Sequence, residues 1–120
     1  MKSITLVIGA SENPSRYSNK AIRALLQNNK AVIALGKRKG EVKGVEIQTK
    51  ISTDKKVDTV TLYLNPNHQK QYEDFLLELC PKRVIFNPGT ESFELQDKLE
   101  KAGIKTLNAC TLVLLATNQY

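Results

Sequence analysis

Short apolar runs alternate with helix-period segments along the whole chain. Ile4-Thr5-Leu6-Val7-Ile8 is continuously β-favouring, the pattern of a strand buried on both faces, and it stops at Gly9. After a polar loop, Ala21, Ile22, Leu25 and Leu26 fall at helical spacing within a segment from about Tyr17 to Asn29. Ala31 to Leu35 reads as a second strand, ended by Gly36. Residues 37–56 are the least regular stretch: Val45, Ile47 and Ile51 alternate with polar residues but give no helix signal. Thr59 to Leu64 is the third strand. Asn65-Pro66 then opens a helix, Asn as cap and Pro at its first position. Tyr72, Phe75, Leu76 and Leu79 give that helix one apolar face.

Arg83 to Phe86 is the fourth strand, and Asn87-Pro88-Gly89-Thr90 a turn. The next helix places Leu95, Leu99 and Ala102 inward and stops at Gly103. Ile104 to Leu107 is the fifth strand, and the apolar tail Thr111 to Leu115 packs back as a short helix or a further strand. Strands joined by helical crossovers run parallel. The expected fold is α/β: a single doubly wound, Rossmann-like parallel sheet of about five strands, helices on both faces, residues 1–120 forming one domain. In such sheets ligands sit beyond the carboxyl ends of the strands, near the point where strand order reverses. That rule selects Gly9 to Tyr17, Gly36 to Gly40, Asn65-Pro66, Asn87 to Glu91 and Asn108 to Cys110.

Composition changes the picture mainly through charge. With 41% hydrophobic and 25% charged residues the chain reads as an ordinary globular domain. No run approaches the ~20 apolar residues of a membrane span. Met1 to Gly9 lacks a small-residue cleavage site and reads as a strand instead of a signal peptide, so the expected compartment is the cytoplasm. Residues 1–56 carry 12 Lys/Arg against 4 Asp/Glu, a balance of +8, whereas residues 57–120 carry 6 against 8, or −2. That asymmetry suggests an anionic partner on one side of the molecule, with nucleic acid, a phosphate-rich cofactor and a plain solvated face all open.

The loops give the anion a class. Gly9 and Ala10 are small enough for backbone amides to approach a phosphate, beside a helix amino end. Ser11, Ser15 and Arg16 can donate to its oxygens. Neither G-x-G-x-x-G nor a P-loop is present, and an ordinary strand-to-helix turn would look the same. The second strand is followed by Gly36-Lys37-Arg38-Lys39-Gly40, cations where an NAD site places a ribose-binding carboxylate. A ribose phosphate suits that loop, the 3′-phosphate of coenzyme A or the 2′-phosphate of NADP. A solvated charge run is the alternative.

Gly9-Ala10-Ser11 with Asn13-Pro14-Ser15-Arg16, then Gly40-Glu41-Val42-Lys43-Gly44, then Asn87-Pro88-Gly89-Thr90-Glu91 resemble the small CoA-binding-domain proteins. These in turn are similar to the CoA-binding domain of the succinyl-CoA synthetase α subunit. The resemblance runs from Ile4 to Leu115. It implies that Gly9, Ala10 and Ser11 lie under the nucleotide end of the cofactor, and that Lys39 meets a phosphate. It further implies that Leu64, Asn65 and Pro66 line the cofactor, with the Asn87 to Glu91 turn beside them. Gly36-Lys37 departs from the Asn-Pro or Thr-Pro common in the family, so the resemblance assigns Lys37 no role.

Chemistry of the chain's own is not indicated. No carboxylate pair, Ser/His/Asp arrangement or metal-ligand spacing stands out, and His68 reads as a surface residue. Cys80 and Cys110 have no short spacing; Cys110, near the ligand edge, is the one nucleophile candidate, with core packing as the plainer reading. The expected function is a stand-alone CoA or acyl-CoA binding domain without its own catalytic apparatus, acting with a partner enzyme subunit or as a homo-oligomer. The alternative is an NADP-binding reductase-like domain or another nucleotide-binding module. Nucleic acid is disfavoured, because no stacking platform or helix-turn-helix accompanies the basic half.

Overall fold

The computed structural model describes residues 3–120; Met1 and Lys2, at the start of the apolar opening run, lie outside the described residues. The strands are β1 (Ile4–Ile8), β2 (Ala31–Leu35), β3 (Gly40–Val42), β4 (Val45–Gln48), β5 (Thr59–Leu62), β6 (Arg83–Phe86) and β7 (Lys105–Asn108). They form one sheet in the order β3-β4-β2-β1-β5-β6-β7. All neighbours pair parallel except β3 with β4.

Among the described residues the sheet therefore has seven strands where the apolar pattern predicts about five. The two additional strands form a hairpin inside the irregular stretch. Its turn is Lys43-Gly44, with φ of 49° and 86°. Positive φ at both central residues is the geometry whose twist matches a two-residue hairpin.

The helices are α1 (Tyr17–Gln27), α2 (Pro66–Gln69), α3 (Glu73–Leu79), α4 (Phe93–Lys101) and α5 (Thr111–Ala116). The single helix expected after Pro66 is interrupted by a 3₁₀ turn at Lys70–Tyr72, which separates α2 from α3. Asn65 caps α2 as expected, its Oδ1 accepting from the His68 N–H at 3.2 Å. Ala102 is exposed, contrary to its predicted inward position, because it is the cap that ends α4. The tail is a helix, settling the helix-or-strand alternative.

Side-chain alternation on the strands divides the core in two. Leu6 and Ile8 of β1 point to one face, against Leu76 and Leu79 of α3 and Leu95 and Leu99 of α4. Val7 points to the other face, against Ile22 and Leu25 of α1 and Leu115 of α5. Among the described residues, no helix is long and apolar enough to cross a membrane.

Candidate functional site

Strand order reverses at β1. The chain passes from β1 to β2 on one side and later returns to β5 on the other. The loops leaving the carboxyl ends of β1 and β5 therefore part, and a cleft of about 1140 Å³ opens between them. Of the residues predicted from sequence, Gly9, Ala10, Ser11, Asn13, Ser15 and Arg16 line it on the β1–α1 loop. Lys37, Arg38 and Lys39 line it from the loop after β2. Leu64, Asn65, Pro88, Gly89 and Thr90 form the opposite wall.

The β1–α1 loop is ordered by its own polar atoms. Gly9 turns the chain at φ 93°, and a Cβ there would lie 3.0 Å from the Tyr63 carbonyl oxygen. Only glycine fits both the angle and the space. The N–H groups of Gly9 and Ala10 donate to the Leu35 carbonyl at 2.9 and 3.0 Å, so they are not the free phosphate donors expected of them. Asn13 Oδ1 accepts from both the backbone N–H and the hydroxyl of Ser15, and Ser11 Oγ accepts from the Asn13 N–H. From below, buried Asn19 donates to the Ser11 carbonyl at 2.9 Å. Arg23 donates both to Asn19 Oδ1 and to the Pro14 carbonyl.

Positive potential is concentrated here. Arg16 occupies the N-cap position of α1, supplies no side-chain cap, and no acidic residue follows in the first turn. The amino end of the helix, with Tyr17 and Ser18 on the cleft, thus keeps its partial positive charge. Lys37, Arg38 and Lys39 are exposed. Among the described residues, neither they nor Arg16 forms a salt bridge; every ion pair involves Lys82, Lys98 or Lys101.

The opposite wall is fixed from beneath. Buried Gln69 donates through Nε2 to the carbonyls of Leu64 (2.7 Å) and Thr90 (2.6 Å), tying the two lips together. Its Oε1 is buried and has no partner among the described residues. Tyr63 also reaches the cleft. Burial pushes its phenol pKa up to about 12. The hydroxyls of Thr61 and Thr111 are close enough to lower that value slightly, yet they bond one another at 2.8 Å. Among the described residues, no hydrogen bond of sound geometry reaches Tyr63 Oη.

Five of the predicted site residues do not line the cleft. Gly36 lies buried beneath it, where a Cβ would come within 2.6 Å of the Ala10 carbonyl oxygen. Pro66 is the exposed first residue of α2. Asn87 is buried, and its amide is fully engaged by Thr61, Leu62 and Thr111. Glu91 turns its carboxylate onto the Gly89 N–H at 2.8 Å. Cys110 is half-buried at the N-cap of α5, near the Tyr63 hydroxyl. His68 is exposed and does not itself line the cleft.

Sequence reasoning gave Glu12 and Tyr17 no individual role within the selected Gly9 to Tyr17 segment, and it missed Ser18, Ile47 and Tyr63 as lining residues. Four lie within or next to segments already singled out, and the i±1 neighbours of a predicted loop would have found them. Ile47 belongs to the unrecognised hairpin. Among the described residues, no cluster of potential metal ligands occurs.

Cations unpaired among the described residues and an uncapped helix end make this cleft attractive to an anion. The architecture and its switch-point cleft define a Rossmann-like α/β domain with a cationic cleft. The chain belongs to the CoA binding domain family (CoA_binding_2), whose pattern matches residues 3–116. It is similar to a crystal structure of an uncharacterized protein, at 41% identity and a TM-score of 0.96 over 100% of this chain and 99% of that one. It also resembles a conserved hypothetical protein of Pyrococcus furiosus at 30% identity, TM-score 0.78, over 94% of this chain and 98% of that one. A dinucleotide-forming acetyl-coenzyme A synthetase of Ca. Korarchaeum cryptofilum shares the fold at 22% identity and TM-score 0.72. That likeness covers 89% of this chain but 25% of the synthetase. Among proteins of curated function, none matches the chain.

Proposed function

We propose that the switch-point cleft binds coenzyme A or an acyl-CoA by its nucleotide end, as a binding module without chemistry of its own. The observation that carries this reading is the cation set Arg16, Lys37, Arg38 and Lys39, unpaired among the described residues and converging on one cleft. Coenzyme A presents a pyrophosphate and a ribose 3′-phosphate. The amino end of α1 suits the first and the basic loop the second. Family membership favours coenzyme A over NADP, whose ribose 2′-phosphate the same loop could meet. Any reaction of the acyl group belongs, in this reading, to a partner subunit.

Thermal denaturation with CoA, dephospho-CoA, NADP and NAD at equal concentration tests it. A ligand that binds only the folded state raises the melting temperature by mass action. CoA should raise it most and NAD least. An equal rise with NAD would overturn the reading.

A further inference from the structure

The basic loop Lys37-Arg38-Lys39 hangs between two glycines, and both rest on the β1–α1 loop. At one end, Gly36 lies against the Ala10 carbonyl, where a Cβ would approach to 2.6 Å. At the other, a Cβ on Gly40 would lie 2.4 Å from Glu12 Cδ and 2.5 Å from its Cγ. The Glu12 side chain occupies that space, and its Oε2 accepts from the Glu41 N–H at 2.9 Å. Glu41 is in β3, an edge strand whose only sheet neighbour among the described residues is β4. The hairpin itself joins the rest of the sheet through two register pairs, Ala34 with Ile47 and Leu35 with Gln48. Such a short edge attachment leaves the hairpin dependent on its other contacts.

Charge makes Glu12 conspicuous. It is the one carboxylate among the cleft-lining residues, which also include Arg16, Lys37, Arg38 and Lys39. It forms no salt bridge with any of them among the described residues. Its oxygen is used on a backbone N–H of the hairpin. For an anionic ligand the charge is a liability, so the mechanical contact and the coulombic cost act in opposite directions.

We propose that Glu12 is the positioning residue that sets ribose-phosphate specificity, by docking the hairpin and so holding Lys37–Lys39 at the cleft. The specificity claim rests on the CoA reading; the docking claim does not. Three variants separate the effects. Glu12→Gln keeps an acceptor for the Glu41 N–H and removes the charge. Glu12→Ala removes both. Gly40→Ala, not at a positive φ, displaces the Glu12 side chain while leaving its charge.

Amide hydrogen exchange across residues 37–42 of the ligand-free protein reads the docking. Calorimetric titration with CoA and with dephospho-CoA reads the specificity. Glu12→Gln should keep wild-type protection and bind CoA several-fold more tightly. Glu12→Ala and Gly40→Ala should lose protection, and their preference for CoA over dephospho-CoA should fall about tenfold, the loss of one charge-assisted contact. Unchanged exchange in Glu12→Ala overturns the docking. An equal CoA-to-dephospho-CoA ratio in Glu12→Ala and Glu12→Gln overturns the specificity role. If the wild type binds neither ligand, the CoA reading falls and the specificity role with it, while exchange still decides the docking.

Discussion

Asn87 Nδ2 donates to Thr61 Oγ1 at 2.6 Å, across the β5–β6 boundary and in the buried core. The same amide donates to the Leu62 carbonyl and accepts from the Thr111 N–H, so one side chain joins β5, β6 and the start of α5. Asn87→Ala would strand a buried backbone N–H and a carbonyl without partners. We expect a loss of about 2–4 kcal/mol, since each buried group left unpaired costs about 1–3 kcal/mol. Urea denaturation measures it. A loss within experimental error of zero would show that water replaces the amide without penalty.

Gly36 supports the cleft floor in a different way. Its N–H donates to the Gln48 carbonyl at 2.9 Å, and a methyl group would press on the Ala10 carbonyl. The obstacle is backbone, which cannot swing aside as a side chain can. Gly36→Ala should therefore cost about 1–3 kcal/mol, the range of an overpacked site. It should also weaken ligand binding, because both loops must shift. A stable variant with wild-type affinity would sink this account.

The main strands were legible because each is a run of β-favouring residues ended by Gly, Pro or Asn. The cleft was legible because a doubly wound sheet places its ligand loops by topology. The hairpin was not, since β3 and β4 are only three and four residues long and carry Glu41 and Glu46 among their valines and isoleucine. Val42-Lys43-Gly44-Val45 was its one local mark. The core role of the Asn87 amide was hidden for another reason: a turn residue at the sheet edge looks the same in sequence whether its amide faces solvent or the core. The contact of Glu12 with the hairpin could not be found locally, because its partner Glu41 lies 29 residues away.

Tyr63 ties stability to alkaline pH. Its phenol is held at about 12 in the folded chain against an ordinary 10.0, chiefly by burial. Between those values the folded state keeps a proton that the unfolded state has released. Its contribution is thus fully present below about pH 10 and is lost as pH rises through about 12. Tyr63→Phe removes that dependence, on the order of 1–3 kcal/mol. It also removes a buried hydroxyl without a partner, so stability at neutral pH should rise by about 1 kcal/mol. Chemical denaturation at pH 7 and pH 11 compares the two proteins. An equally steep decline in the variant would place the titration elsewhere, with Tyr120, also raised by burial, the next group to replace.

Lys39 carries the most direct test of ligand class. It is exposed on the cleft, forms no ion pair among the described residues, and is the loop cation nearest in sequence to the Glu12-docked Gly40. Lys39→Ala should weaken CoA binding through the ribose 3′-phosphate. A charge-assisted contact of about 1.5–3 kcal/mol corresponds to roughly a ten- to hundredfold loss of affinity. Lys37 and Arg38 can cover part of the vacated charge and draw the loss toward the lower value. Folding stability should hardly change, because an exposed unpaired lysine contributes little to it. The measurement is a double cycle, wild type and variant against CoA and dephospho-CoA. An equal loss for both ligands would mean that Lys39 does not read the 3′-phosphate, and the basic loop would then no longer distinguish coenzyme A from other nucleotides.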